Sequence, residues 1–196
     1  MNCKQAGLFL SGATLLLSLP ACNGIFEGIY DMPTSETDNG YGFILVDEGA
    51  RTGRIYIDAT DYTEWHYVDL HGKQVTTTQV GAAAPETWDF AVHRYDTKTN
   101  GGTVWESQAG SFDALPAPGS VSEEQWTADE WTTDRITVDM SQMMDGVIRY
   151  AEDYRNPCLS RWLDVDTSTM PPVYTLSGKI YLLRLSDGTF AALRLT

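Results

Sequence analysis

Apolar and polar side chains alternate with a period of two along much of this chain, and few runs favour a long helix, so extended strands are the natural building unit. Within residues 88–94, Trp88, Phe90 and Val92 fall on one face and Asp89, Ala91 and His93 on the other, which predicts a half-buried strand. Ile136, Val138 and Met140 share a face over residues 135–140 and predict another. Residues 65–70 alternate less cleanly and read as a strand open to burial on both faces. Residues 41–46 form a candidate first strand, continued by 54–58 after a turn at Asp47-Glu48-Gly49. Near the end, residues 179–185 and 189–195 flank Ser186-Asp187-Gly188, and Asp-Gly between β-formers marks a hairpin of antiparallel neighbours. With 17 Gly, 8 Pro, 6 Trp and 10 Tyr, the expected fold is all-β and rich in turns, in one domain.

Two stretches break the pattern. Residues 114–120, with Pro116, Pro118 and Gly119, are a loop, followed by Glu123-Glu124-Gln125-Trp126 and Glu130-Trp131, which are expected as short helical turns. Residues 140–172 are the least strand-like and gather Met140, Met143, Met144 and Met170 with Tyr150, Tyr154 and Trp162.

The chain opens with Lys4 and an apolar run over residues 6–17, too short for a comfortable bilayer span and ending in Leu19-Pro20-Ala21-Cys22. That is a secretory signal, and its ending resembles a bacterial lipobox, in which the cysteine is diacylated and becomes the mature N-terminus. The organisation expected is a lipoprotein signal peptide over 1–21, a lipidated N-terminus and linker over 22–50, and a folded domain over 51–196. Acyl chains on Cys22 would tether the protein at about 0.8 kcal/mol per buried methylene. Cys3 leaves with the signal, so Cys158 is the remaining thiol of the folded part and an intramolecular disulfide is impossible. It reads as a small buried hydrophobe, with a reactive thiol or a ligand as the rival.

Charge and inventory exclude several functions. The chain carries 27 Asp and Glu against 13 Lys and Arg, a net charge of −14, and loss of Lys4 makes the mature chain more negative still. Such a surface does not suit nucleic acid, which needs a basic face. There is no HExxH, no paired CxxC, no Walker loop, no GxGxxG and no Gly-x-Ser-x-Gly elbow, so no enzyme is expected. His66 and His71 are five residues apart, and no further metal ligands are expected to cluster with them, so a surface or core-edge role is read for both; His93 reads as a hydrogen-bonded structural residue. Methionine thioethers are soft ligands suited to haem iron or cuprous copper, and Pro171-Pro172 stiffens the backbone just beyond Met170. Core packing is the competing reading of the same methionines.

The strings Tyr62-Thr63-Glu64-Trp65-His66-Tyr67, Trp88-Asp89-Phe90-Ala91-Val92-His93-Arg94-Tyr95-Asp96-Thr97-Lys98-Thr99-Asn100-Gly101-Gly102, Arg135-Ile136-Thr137-Val138 and Tyr174-Thr175-Leu176-Ser177 resemble the HmuY family of haem-binding outer-membrane lipoproteins. The resemblance runs from about residue 53 to 196, and the lipobox fits it. It implies an antiparallel all-β fold with haem (haem b, iron protoporphyrin IX) held between loop-borne axial ligands. It also implies a cell-surface lipoprotein that captures haem for iron acquisition and delivers it to a TonB-dependent outer-membrane receptor.

Some members of that family use two histidines as axial ligands, whereas the corresponding stretches here, 139–146 and 164–172, contain methionine and no histidine. The chain is therefore similar to the branch with two methionine ligands, which makes Met170 the first ligand and Met143 or Met144 the second, with Met143 preferred. Tyr150, Tyr154 and Trp162 are candidates to pack on the haem face, and Arg149, Arg155 or Arg161 to meet its propionates. Family members usually run into one further strand beyond the segment like residues 190–195, so a shortened sheet edge is expected here. Two other readings stand beside haem: a glycan-binding surface lipoprotein using Trp126, Trp131 and tyrosines, and an adhesion or assembly module.

Overall fold

The alternation becomes five antiparallel sheets in the computed structural model, which describes residues 42–169 and 171–196. The expected leader, Cys22, most of the linker, and Met170 lie outside the described residues. In chain order the strands are β1 (Phe43–Asp47), β2 (Thr52–Ile55), β3 (Glu64–Asp69), β4 (Gln74–Gln79), β5 (Phe90–His93), β6 (Asp96–Thr99), β7 (Thr103–Ser107), β8 (Thr127–Ala128), β9 (Glu130–Asp139), β10 (Arg149–Arg155), β11 (Leu163–Asp166), β12 (Val173–Leu176), β13 (Ile180–Arg184) and β14 (Phe190–Leu193). Two four-stranded sheets form the body, ordered β4-β3-β5-β6 and β14-β13-β7-β8; β1-β2, β9-β10 and β11-β12 are separate two-stranded hairpins. Among the described residues no helix is long and apolar enough to cross a membrane.

Within the β4-β3-β5-β6 sheet, β3, β5 and β6 are buried on both faces while β4 is partly exposed, and the register says why. Tyr67 opposes Ala91 and Val68 opposes Phe90, so successive residues of β3 and β5 enter different layers. On one side Val68, Phe90 and Val92 join Phe43, Val104, Leu159, Tyr181 and Leu183 in the main core. On the other, Trp65, Tyr67 and Ala91 pack with Ile136 of β9. Phe43 belongs to the main core, so packing begins upstream of residue 51.

Three expectations are corrected. The strand predicted as half-buried over 88–94 is the shorter β5, and all four of its residues are buried, because the β9-β10 hairpin covers the face assigned to solvent. Glu130-Trp131 is not helical but opens β9, where Trp131 pairs with Tyr154 across the hairpin, their rings edge to face at 5.1 Å. Glu123–Gln125 does form a single helical turn. The stretch 140–172, read as the least strand-like, contributes β10, β11 and the turn into β12. Its strands bury little apolar surface, β10 turning only Ala151 onto an apolar cluster, so they lack the periodicity by which strands are recognised. The Asp187-Gly188 hairpin forms as read, with Arg184 opposite Phe190. The first hairpin does too, as β1-β2.

Candidate functional site

The two hairpins β9-β10 and β11-β12 spring from one short buried segment, residues 156–162, between the end of β10 and the start of β11. Asn156 anchors that segment: its N–H donates to Thr97 O at 2.6 Å, its Nδ2 to Asp129 Oδ1 at 2.8 Å, and its Oδ1 accepts from Leu159 N at 2.8 Å. Ser160 adds a buried hydrogen bond to Thr97 Oγ1 at 3.0 Å. Asp129, which also accepts from Thr99 N at 2.6 Å, has its carboxyl pushed up by burial.

Alternation along β10 splits its side chains. Ala151, Asp153 and Arg155 turn inward and are half-buried; Tyr150, Glu152 and Tyr154 turn outward and are exposed. The inward residues dock on β6 through two ion pairs, Lys98 Nζ to Asp153 Oδ2 at 2.8 Å and Arg155 Nε to Asp96 Oδ1 at 2.5 Å. Lys98 lies over the Trp65 ring at 4.2 Å and the Tyr67 ring at 5.1 Å, so its charge is held by aromatic faces as well. Burial pushes the Asp96 carboxyl up while Arg155 pulls it down. Lys98 and Asp96 were missed as positioning residues; the signal was the polar string Asp96-Thr97-Lys98-Thr99 beside a buried strand, all four of whose residues are buried.

At the far end of the hairpin, Asp139 opposite Arg149 closes a loop over 140–148. Met143–Asp145 form one tight turn of helix, entered by Met143 N to Met140 O at 3.0 Å and stopped at Gly146, whose φ of 78° suits glycine. Met143 and Met144 thus sit on a helical turn and not on the extended segment assumed for them, but adjacent residues there still point about 120° apart. Met143 is 39% exposed and Met144 87%. In β11-β12 the last pair is Asp166 with Val173, which places Met170 by sequence in the connecting loop, 167–172. Met143 and Met144 fall on a hairpin loop, and Met170 lies outside the described residues.

A cleft of about 540 Å³ opens where the outer end of β9-β10 meets the start of β3 and the end of β4, lined among others by Val80, Gly81, Asp139, Arg149 and Tyr150. Arg149 Nε stands 3.8 Å from Asp139 Oδ2 and remains exposed, whereas Arg155 and Arg161 are engaged by Asp96 and Glu106. Asp139 is held below the usual carboxylate range, first by the Ser141 backbone hydrogen bond. Tyr150 and Tyr154 are exposed at 41% and 52%. Trp162 differs from them: it is half-buried against the main core with its indole donating to Tyr95 O at 3.0 Å. Of the aromatics considered for glycan, Trp126 packs beside Phe190 and under Arg184, and Trp131 against Tyr154.

His66 and His93 are buried, and His93 Nε2 donates to Tyr62 O at 2.9 Å, the structural role read for it. Cys158 is a buried free thiol, pushed up by burial. His71 corrects the sequence reading: Asp69 and Asp89 do gather beside it.

A β body with two hairpins, β9-β10 and β11-β12, that carry exposed apolar and aromatic side chains defines an all-β protein of antiparallel sheets. The HmuY protein family profile matches residues 61–196, and the chain belongs to that family. Among curated proteins none matches. A solved structure from Bacteroides fragilis NCTC 9343, described as a candidate lipoprotein, is 50% identical, with 82% of this chain and 88% of that chain covered and a TM-score of 0.75. One from Bacteroides vulgatus ATCC 8482, described as a candidate HmuY-like heme-binding protein, is 50% identical over 80% of this chain and 87% of that one, with a TM-score of 0.72. An apo HmuY analogue from Tannerella forsythia, 24% identical over 71% of this chain and 83% of that chain at a TM-score of 0.58, shares the fold.

Proposed function

We propose that this protein binds haem between its two hairpins, with Met170 and Met143 as axial ligands, and acts as a lipid-anchored surface haem scavenger that delivers its cargo to a TonB-dependent outer-membrane receptor. The observation that carries the reading is where bare apolar surface lies. Of the eleven exposed large apolar side chains among the described residues, nine are on β9-β10, β12 or the loop between β9 and β10. Exposed apolar surface of this extent marks a binding face. Family membership and the Bacteroides vulgatus relative support haem as the occupant.

The side chains fit such a group in kind. Iron protoporphyrin supplies a metal with two axial positions, an apolar disc and two carboxylates. Soft thioethers from Met143 and Met170 suit the iron, Tyr150 and Tyr154 offer aromatic faces, and Arg149 is the cation at the cleft with room for a second carboxylate. Because thioether sulfur prefers the softer ferrous ion, binding should tighten on reduction. Acylation of Cys22 would hold the protein at the outer surface.

Haem titration of the protein, followed by absorption in oxidising and reducing conditions, tests this. A saturable low-spin spectrum that sharpens on reduction, and is lost in Met170→Ala and Met143→Ala, supports it. No saturable spectrum from folded protein in either redox state would overturn it.

A further inference from the structure

We propose that the turn after β3 builds, with Asp89, a binding site for a divalent transition-metal ion of the zinc type, separate from the methionine hairpins. Asp69, His71 and Asp89 each offer one donor atom, and the three atoms lie within 4.8 Å of one another. The fold creates this grouping: antiparallel pairing of β3 with β5 sets Val68 opposite Phe90, which carries the turn after β3 to the residue preceding β5. Backbone then fixes both carboxylates. Leu70 N donates to Asp89 Oδ2 at 2.7 Å and Gly72 N to Asp69 Oδ1 at 2.6 Å, which orients both carboxylates and leaves Asp69 Oδ2 and a second lone pair on Asp89 Oδ2 for another partner. A Cβ at position 72 would stand 2.6 Å from Asp69 Oδ2, so glycine there keeps open the space that this oxygen faces.

The geometry around the imidazole suits a cation better than a simple ion pair. His71 Nδ1 and Asp89 Oδ2 are 3.7 Å apart, too far for a hydrogen bond. Two ligands about 2.1 Å from a tetrahedral zinc ion stand about 3.4 Å apart, close to that separation. The other ring nitrogen, Nε2, lies 3.6 Å from Asp187 Oδ2 of the β13-β14 turn, beyond hydrogen-bond distance, so this carboxylate adds negative charge beside the imidazole. Asp89 is only 13% exposed and meets no lysine or arginine in an ion pair among the described residues. One imidazole nitrogen with two carboxylate oxygens selects a borderline ion over magnesium or calcium, which take oxygen ligands.

The site and the cleft lie at opposite ends of β3. Thr63, just before the strand, lines the cleft, and His71 follows its other end, about 20 Å away at 3.3 Å per residue. Metal loading can therefore be read without haem.

Calorimetric titration of the full chain with zinc chloride in chelator-free buffer tests the site. One zinc per chain is expected, abolished in His71→Ala and weakened at least tenfold in Asp89→Asn, with excess magnesium failing to displace it. Zinc should also raise the thermal midpoint of the parent and not of His71→Ala, whose circular dichroism without metal should match the parent because the residue is exposed. No saturable binding, or binding of the same stoichiometry and affinity in His71→Ala, would overturn the proposal, the latter as adventitious binding elsewhere.

Discussion

Met143 and Met144 are adjacent, chemically identical and held in the same turn, yet one is 39% exposed and its neighbour 87%. A ligand must hold its sulfur in place before the iron arrives, and a side chain partly sheltered by its own loop gives up less rotamer freedom on binding. Met143→Ala should therefore remove one axial ligand, visible as a high-spin shift in the haem spectrum, while Met144→Ala should leave both spectrum and affinity within about a factor of two of the parent. Cys158 is a residue of the opposite kind. Its thiol is 3% exposed and burial pushes its ionisation up, so at pH 8 it should react with Ellman's reagent only as fast as the protein opens, and at once in guanidinium. Rapid labelling of the native protein would show that the segment 156–162 is not the fixed base of the hairpins.

At the scale of the element, β10 carries the argument, because Asp153 and Arg155 tie it to Lys98 and Asp96. The Lys98–Asp153 pair is nearly buried, at 8% and 20% side-chain exposure, so removing Asp153 takes away the ion-pair partner of Lys98 and leaves only Asp129, beyond ion-pair distance, to oppose its charge. Asp153→Asn should cost about 3–5 kcal/mol in chemical denaturation, and pairing it with Lys98→Met should recover much of that, since an apolar replacement of both removes the orphan charge. A loss below 1 kcal/mol in the single variant would mean the aromatic faces alone carry Lys98. The same residues explain what could be read from sequence. β5 and the β13-β14 hairpin were legible because apolar alternation records burial directly. β10 was not, because its inward face reads Ala151, Asp153, Arg155 and buries charge against charge, which no hydrophobic period reveals. For the site, the methionines stood out as soft donors but family resemblance was needed to choose them over core packing, and Asp89 joins Asp69 and His71 through a strand pairing that no local spacing encodes.

Across the whole molecule, two neutral histidines sit within the central sheet. His66 Nδ1 pairs with Thr77 Oγ1 at 2.9 Å and His93 Nε2 with Tyr62 O at 2.9 Å, while His66 Nε2 and His93 Nδ1 are buried with no hydrogen-bond partner among the described residues. Burial lowers both below the ordinary value of 6.5, against the Tyr62 hydrogen bond and Asp96, which draw His93 back up, and Glu64, Asp58 and Asp61, which do the same for His66. Folded pKa values below the unfolded ones mean that the unfolded chain takes up protons first as pH falls. Their contribution to stability is then complete above about pH 6.5 and is lost as pH drops through the lowered folded values. Asp96 and Asp129 have the opposite sign, since burial raises them, so their contribution is complete below about pH 3.8 and is lost as pH rises through the raised values. The urea midpoint should accordingly be level near pH 7–8 and fall as pH drops below 6.5, and combining His66→Gln with His93→Gln should flatten that fall, whatever it does to the midpoint at pH 8. An undiminished slope in the double variant would place the titrating groups elsewhere.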